Sequence, residues 1–399
     1  MFFLKAAYCR VFQACFRAAL PLLPYREPKI ISSLEGLSAV LRKEQKRKPL
    51  IVTDRGIVAC GLVEPLQSVL AANGIAYAVY SDTQPNPTVA NVEEALRLYK
   101  AEGCDSLIAI GGGSAMDCAK AIGARVVYPK KQLRQMKGIL RVLRRLPTLV
   151  AVPTTAGTGS ETTLAAVITD SGKQDKYALM SFPLIPHYAV LDAALTVSLP
   201  PHLTAATGMD ALTHAVEAYI GRSTTKKTRA LALEAARLVF ENILAAYNDG
   251  NDLKARENML HAAYKAGAAF SQSYVGYIHA VAHSLGGMYG TPHGLANAVL
   301  MPYVLTAYGS SVYRKLHRLG AVAGVCTEAA TDRQGAEDVI CAIRELNAQM
   351  NLPDKLSGIK EEDIPTLAAH AEREANPLYP VPKLMTARQL ENIYRQVAE

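Results

Sequence analysis

The chain has 399 residues, of which 50% are hydrophobic, and it carries 43 Lys and Arg against 35 Asp and Glu. This length is enough for two domains with a sizeable core, and no run of about eighteen apolar residues suggests a membrane span. The seven cysteines are scattered and form no CxxC pair. Their pattern argues against a thiolate metal site and a disulfide framework, and it fits a reducing cytoplasm.

The excess positive charge is concentrated in two segments, 42–48 and 130–145, and the second has seven basic residues and no acid. Such runs contact nucleic acid or an anionic surface in some proteins. Neither run is interleaved with aromatic residues or forms a nucleic-acid-binding motif. We therefore expect two solvated faces and no nucleic-acid partner.

Residues 1–26 contain no acid and predict an amphipathic helix that ends near Pro21. We expect an ordinary helix that packs on the body of the protein or on a second subunit. The alternative is a targeting or encapsulation peptide, because acid-poor amphipathic segments with arginine occur in such peptides. A secretion signal is not expected, since no small-residue cleavage site follows an apolar core.

From Pro49 onward, short apolar runs alternate with helical patterns. Helices are predicted at 62–73 and from Thr88, as N-cap, to 101. Alternation of this kind predicts a parallel sheet covered by helices. The predicted strands are 50–53, 75–80, 106–110, 149–152, 165–169, 177–180 and 188–191.

Two loops that follow predicted strands are suited to a dinucleotide. Glycines at 111–113 let the backbone approach a ligand, and a helix that starts at about Ser114 favours a phosphate at its N-terminus. The loop 153–161 offers hydroxyls and glycines for phosphate and ribose contacts. Asp54 ends an earlier strand, where a carboxylate binds the adenine-ribose 2′-hydroxyl and repels the extra phosphate of NADP. These features together favour NAD.

After residue 200 the strand signals become rare, and helical patterns follow one another to the end of the chain. Helices are predicted at 204–219, 228–246, 253–269, 277–285, 331–350, 363–374 and 386–397. We therefore expect an N-terminal extension at 1–30, an α/β domain at 31–200 and an all-helical domain at 201–399.

Histidines and a carboxylate recur at helical spacing in this second half. Asp210 and His214 are four residues apart, as are His279 and His283, so each pair projects from one face of a helix. His293 follows a turn-rich segment, and we expect a loop that returns it toward that face. Imidazole and carboxylate ligands without thiolate suit Fe(II), Zn, Mn, Co or Ni. A lone histidine pair is weak support, but the combination predicts a divalent metal site.

These residues resemble the iron-containing (group III) alcohol dehydrogenase family over nearly the whole chain from about residue 50. The resemblance implies a dinucleotide-binding α/β domain and a helical domain, with the site in the cleft between them. It rests on separate motifs in matching order, which are 52–54, 85–88, 111–114 with Asp117, 153–161, 208–210 with His214, 266–270, His279 with His283, 292–294, and 376–377.

The resemblance also implies the site residues. It implies one divalent metal, Fe(II) first and Zn as the alternative, and a role for His283 in proton handling. Ala166 and Phe270 are implied to face the substrate pocket, with Tyr274 nearby. The implied metal ligands are Asp210, His214, His279 and His293. The implied NAD(H) contacts are Asp54, Asn86, Gly112, Gly113, Ser114, Thr154, Thr155, Thr158 and Lys176.

The expected reaction is hydride transfer between NAD(H) and a small primary alcohol or diol, or the corresponding aldehyde, with the metal as a Lewis acid on the substrate oxygen. One alternative is an NADPH-dependent aldehyde reductase, against which Asp54 argues. Another is a dehydroquinate-synthase-like enzyme that uses NAD transiently, against which the Asp-first ligand set argues. We expect a cytoplasmic homodimer or larger homo-oligomer.

Overall fold

The chain divides at residue 199 into an α/β unit and a helical unit. The structure, a computed structural model, describes residues 2–172 and 175–399. The α/β unit is Pro24–Leu199, and the helical unit is Pro200–Glu399 together with the N-terminal residues up to Leu23. The N-terminal helix α1 (Phe2–Ala19) therefore belongs to the helical unit. The functional domain limits 31–200 and 201–399 stay predictions.

The α/β unit is built on a six-stranded parallel sheet, as the alternating pattern predicts. Its strand order is β1-β9-β6-β4-β2-β3, and β5, β8 and β7 form a separate three-stranded sheet. The strands are β1 (Lys29–Ile31), β2 (Pro49–Val52), β3 (Ala78–Tyr80), β4 (Ser106–Gly111), β5 (Gly138–Ile139), β6 (Thr148–Pro153), β7 (Ala165–Asp170), β8 (Asp175–Met180) and β9 (Tyr188–Val190).

The central strands β2, β4 and β6 are buried along their whole length, which explains their continuous apolar runs. Successive side chains point to opposite faces. Leu107 and Ala109 therefore join the core under α5 and α6, and Ile108 and Ile110 join the core under α2 and α4. The helices of this unit are α2 (Leu34–Lys43), α3 (Arg55–Ala59), α4 (Glu64–Ala72), α5 (Val89–Ala101) and α6 (Gly113–Val127).

Thr88 is the N-cap of α5, as predicted. Its side chain accepts the N–H of Asn91 at 3.1 Å, and the Asn91 side chain accepts the N–H of Thr88 at 3.1 Å. This reciprocal pair satisfies donors that the first helical turn leaves open. The elements β1, α2, α3 and β5 are not predicted from the sequence. Of these, β1, α3 and β5 are too short to give a periodic signal.

The strands β7 and β8 lie outside the predicted parallel sheet. These two strands pair antiparallel, with Thr169 opposite Lys176. The Thr169 N–H donates to the carbonyl of Pro87 at 2.9 Å, which fastens the small sheet to the loop before α5. This link brings the β8 side chains to the predicted cofactor loops.

The helical unit contains every helix predicted after residue 200, together with α11 and α12, which are additional. The expected loop at His293 is wrong, because His293 is the first residue of α11. The helices are α7 (Pro201–Ile220), α8 (Lys226–Asn248), α9 (Leu253–Ser273), α10 (Tyr277–Tyr289), α11 (His293–Tyr308), α12 (Tyr313–Val322), α13 (Asp332–Gln349), α14 (Ile364–Ala375) and α15 (Ala387–Val397). Among the helices of the described ranges, none has the length and apolar character that a membrane span requires.

His187 connects β9 to β6 and is held neutral by its surroundings. The ring Nδ1 of His187 accepts the backbone N–H of Leu149 at 3.1 Å, and the backbone N–H of His187 donates to the Leu149 carbonyl at 2.8 Å. Burial, reinforced by the positive charges of Arg26 and Arg145, lowers the pKa of His187 to about 4. An unfolded histidine has a pKa of about 6.5, so between these two values the unfolded chain binds a proton that the folded chain does not.

We expect the free energy of unfolding to fall as the pH drops from about 6.5 to 4, and His187→Gln to remove part of that loss. The part of the loss in the free energy of unfolding that His187 causes is at most about 3 kcal/mol, because each pKa unit corresponds to about 1.4 kcal/mol. Urea titrations at several pH values measure it, with the exposed His370 changed to Gln as the matched control. An acid dependence in His187→Gln equal to that of the unchanged chain would contradict the prediction.

Candidate active site

The four predicted metal ligands converge in the helical unit. Asp210 and His214 on α7, His279 on α10 and His293 on α11 each offer a ligand atom, and these atoms lie within 4.8 Å of one another. His293 Nε2 is 3.4 Å from Asp210 Oδ1, and His279 Nε2 is 3.8 Å from the same oxygen. Three of the four residues are buried, and His293 is half-buried.

The protonation of His279 fits a metal ligand. Burial, together with the neighbouring His214, His293 and His283, lowers the pKa of His279 well below its usual value. A neutral imidazole keeps one nitrogen lone pair available. The Nε2 atom of His279 is buried and makes no hydrogen bond with the described residues. Buried polar atoms are normally satisfied, so a divalent ion among the four ligands accounts for this atom.

Glu217 holds His279 in that orientation. Its carboxylate accepts a hydrogen bond from His279 Nδ1 at 2.6 Å and from the N–H groups of Gly276 and Ile278 at 2.8 Å each. Burial raises the pKa of Glu217 to about 7, while the three donors favour the carboxylate. An acceptor on the second ring nitrogen fixes the tautomer of a ligating histidine. Glu217 is not among the residues predicted from the sequence, although its spacing of seven from Asp210 places it on the same face of α7.

Asn297 is a second residue that the sequence analysis missed. Its Nδ2 donates to Asp210 Oδ1 at 2.7 Å and lies 3.1 Å from His293 Nε2. Asn297 is fully buried and lies one helical turn after His293 on α11. The contact of Asn297 with Asp210 requires α11 to lie close to α7. Glycine at position 294 permits this approach, since a Cβ there would overlap the carbonyl of Ala206.

His283 lies beside the ligand cluster. Its ring stacks on that of His293 with centroids 5.1 Å apart and lies 5.8 Å from that of His279. Its Nδ1 is 2.6 Å from Glu374 Oε1, and that oxygen also accepts the Tyr379 hydroxyl at 2.7 Å. The side chain of His283 is 41% exposed, so its proton can exchange with solvent.

Two of the predicted pocket residues also belong to the helical unit. The ring of Phe270 stacks on His214 with centroids 4.0 Å apart. Tyr274 ends α9, and its ring centroid is 6.2 Å from that of Tyr379. Ala166 is buried in β7 of the α/β unit.

The predicted cofactor loops lie at one edge of the six-stranded sheet. The strands β2, β4 and β6 are parallel neighbours, so the residues that follow them share an edge. A Cβ at Gly113 would lie 3.3 Å from Thr158, and one at Gly112 would lie 3.7 Å from Thr155. A side chain at Gly113 would press on Thr158, whereas glycine leaves the start of α6 open to a phosphate.

Asp54 and Thr154 lie at the same edge. Asp54 caps α3 by accepting the N–H of Ile57 at 3.0 Å, and its other oxygen lies 3.6 Å from where a Cβ at Gly111 would be. The buried hydroxyl of Thr154 makes no hydrogen bond with the described residues. An unsatisfied hydroxyl and an uncrowded backbone fit a bound dinucleotide.

The remaining predicted cofactor contacts form a linked group. The N–H of Asn86 donates to Ser114 Oγ at 3.3 Å, and Lys176 Nζ donates to Asn86 Oδ1 at 2.6 Å. The β8 strand supplies Lys176, and the loop before α5 supplies Asn86. The sequence therefore predicted three residues that the structure brings together.

A buried lysine, also missed by the sequence analysis, ties α6 to the loop 153–163. Lys120 Nζ donates to the carbonyl of Ser160 at 2.7 Å and to Thr163 Oγ1 and the carbonyl of Ala165 at 2.8 Å each. Burial lowers its pKa to about 8, against the opposing effect of Asp117 and Glu161.

Comparisons with known proteins agree with this geometry. Residues 30–193 match the family described as iron-containing alcohol dehydrogenase, and residues 204–398 match the C-terminal part of the same family.

The chain belongs to the iron-containing alcohol dehydrogenase family.

Relatives and solved structures cover most of the chain. Alcohol dehydrogenase 4 of Saccharomyces cerevisiae (strain YJM789) is 41% identical over 86% of this chain and 89% of its own. The 1,3-propanediol dehydrogenase of Citrobacter freundii is 39% identical over 88% and 91%. A crystal structure of 1,3-propanediol oxidoreductase has a TM-score of 0.90 and 36% identity, and covers 94% of this chain and 99% of that chain.

These findings confirm the predicted family, the α/β and helical fold class, and an NAD-dependent alcohol dehydrogenase with a divalent metal. The residue roles within this iron-containing alcohol dehydrogenase stay predictions.

The contacts of Glu217 predict its effect on metal affinity. Glu217→Gln removes the charge and leaves one acceptor oxygen where three N–H donors converge. Weakened support of a ligating histidine typically lowers metal affinity about 10- to 100-fold, and we expect a loss of that size. Competition with a chromophoric chelator for Zn measures it, with circular dichroism to establish folding. The exposed Glu241, changed to Gln, is the matched control, and an unchanged affinity in Glu217→Gln would refute the prediction.

Proposed function

We propose that this enzyme interconverts small primary alcohols or diols and their aldehydes with NAD(H), through a metal held by Asp210, His214, His279 and His293. The main support is the convergence of these four side chains within 4.8 Å. The names of relatives support the substrate class. They include NAD-dependent methanol dehydrogenase of Bacillus methanolicus and lactaldehyde reductase of Escherichia coli.

The residues around the cluster would hold a divalent ion in place and shield it on one side. A divalent ion in this site supplies a Lewis acid that lowers the pKa of the substrate hydroxyl. Glu217 and Asn297 keep the ligands in place, and the Phe270 ring covers one face of His214. The apolar ring excludes water from that side, which strengthens the electrostatic effect of the ion.

We assign proton transfer to His283. It is adjacent to two ligand rings and reaches solvent, while Glu374 fixes its Nδ1. A histidine in this position can take the alcohol proton at Nε2 during oxidation and return it during aldehyde reduction.

We propose that the α/β unit binds NAD(H) and that its functional domain is 31–200. We propose that the helical unit binds the metal and that its functional domain is 201–399. Gly112, Gly113 and Ser114 would contact the phosphates with Thr154, Thr155 and Thr158. Asn86 and Lys176 would hold the nicotinamide half, and Asp54 the adenine ribose.

We also propose a cytoplasmic homodimer or larger homo-oligomer. All seven cysteines are free, which suits a reducing compartment. The half-exposed β1 at the edge of the sheet offers a surface for a second copy.

The first experiment reconstitutes the enzyme anaerobically with Fe(II) or Zn and follows NADH absorbance with methanol, ethanol, 1-propanol and 1,3-propanediol. We expect metal-dependent NADH formation that is lost in His279→Ala. His283→Ala should lower kcat about 100-fold and retain its metal, while the exposed His370, changed to Ala, serves as control.

Two results would contradict this proposal. Loss of bound metal in His283→Ala would make His283 a ligand instead of a proton carrier. Tight binding of NAD and metal without NADH from any alcohol would favour the transient use of NAD.

The helix cap at Asp54 permits a precise test of cofactor choice. Asn is also a good N-cap residue, so Asp54→Asn keeps the hydrogen bond from Ile57 and removes only the charge. We expect the ratio of kcat/KM for NADP to that for NAD to rise about tenfold, as relief of about 1.4 kcal/mol of repulsion implies. Asp54→Ala, which loses the helix cap and the charge together, is the comparison. An unchanged ratio in Asp54→Asn would show that the charge of Asp54 does not cause selectivity for NAD.

A further inference from the structure

The N-terminal helix α1 lies outside both family matches, which cover residues 30–193 and 204–398. It is nevertheless fixed to the helical unit by polar contacts. Arg10 donates to the carbonyls of Val381 and Pro382 at 2.7 and 3.0 Å, and Ser223 donates to the carbonyl of Gln13 at 3.1 Å. These partners are distant in sequence, so α1 is an integral part of this unit.

Two inward residues of α1 contact the segment that supports the site. Gln13 is buried, and its Nε2 donates to the carbonyl of Tyr379 at 2.7 Å. The ring of Phe16 meets the ring of Tyr274 edge-on, with centroids 5.1 Å apart and planes at 69°. Edge-to-face contact is a favoured arrangement for an aromatic pair.

Tyr274 links this helix to Phe270. Its N–H donates to the carbonyl of Phe270, the residue that stacks on the ligand His214. Its backbone φ of +59° is rare for a residue with a side chain. The ring of Tyr274 packs between Phe16 and Tyr379. Because the backbone of Tyr274 is constrained, these two neighbours determine where its ring lies.

We propose that Phe16 is a positioning residue for substrate specificity. It fixes the Tyr274 ring on the side opposite Tyr379 and thereby limits the length of the alcohol that the enzyme accepts. This inference rests on the proposed function and deepens it by assigning chain-length selection to a helix outside the family matches. Without the Phe16 ring, Tyr274 turns into the vacated space and the pocket lengthens.

The test compares kcat/KM for ethanol, 1-propanol and 1-butanol in the metal-reconstituted enzyme at saturating NAD. One methylene in an apolar pocket commonly changes kcat/KM about tenfold or more. We expect Phe16→Ala to raise the ratio of 1-butanol to ethanol about tenfold, and Phe16→Leu to raise it less. Val11→Ala is the control, because Val11 is 62% exposed and lies five residues from Phe16, on a different face of the same helix; the ratio should not change in this variant.

A double-mutant cycle separates this role from a general effect on folding. If Phe16 acts through Tyr274, the effects of Phe16→Leu and Tyr274→Leu on the ratio are not additive. Additive effects, or an equal loss for all three alcohols, would overturn the inference while leaving the dehydrogenase function intact. An unchanged chain that oxidises none of the alcohols would overturn both. Phe16→Leu keeps an apolar side chain, so the cycle decides the question even if Phe16→Ala does not fold.

Discussion

The site depends on one face of α7 being buried although it carries two carboxylates and an imidazole. Asp210, His214 and Glu217 are spaced by four and then three residues, so the helix presents them together. Burying such groups is costly unless each has a partner. Glu217 meets this requirement with three donors, and Asp210 accepts a hydrogen bond from Asn297. The unsatisfied Nε2 of His279 marks where an ion completes the arrangement. This face is therefore built to bind a ligand at some cost in stability.

Those features of the fold that have a local signal could be predicted from the sequence. Buried parallel strands give continuous apolar runs, as at β4, and Thr88 begins α5 by a side-chain contact within three residues. The start of α11 at His293 could not be predicted in this way. Gly286 and Gly287 suggest a turn, yet they lie inside α10, where tertiary packing overrides propensity. Nearly all of 296–305 is buried, so α11 has no amphipathic period that would reveal it.

The residues of the candidate site likewise include some with a local sequence signal and some without one. The ligand pairs on α7 and α10 are visible as spacings of four, because a helix turns the periodicity of the sequence into proximity. Glu217 has the same kind of signal and was within reach of that reasoning. Glu374 and Asn297 are different, since Glu374 is 91 residues from His283 and Asn297 is 87 residues from Asp210. The contacts of Lys120 likewise need the fold, because its partners lie 40 to 45 residues away.

The two units use different means to recognise their proposed ligands, and this difference predicts how each tolerates change. In the α/β unit, glycines keep side chains away from the strand ends, so that backbone N–H groups reach a phosphate. A Cβ at Gly113 would lie 3.3 Å from Thr158, so any side chain there requires the Thr158 side chain to shift, whatever the chemistry of the new residue. In the helical unit, side chains on three helices supply the ligand atoms, and the chemistry of each residue matters more than its volume. The contacts of α1 are of a third kind, because Phe16 and Gln13 contact Tyr274 and Tyr379, which are not among the proposed metal or cofactor ligands. An element of this kind can change the pocket without changing either recognition site, which makes it a suitable place for selectivity to vary among enzymes with the same chemistry.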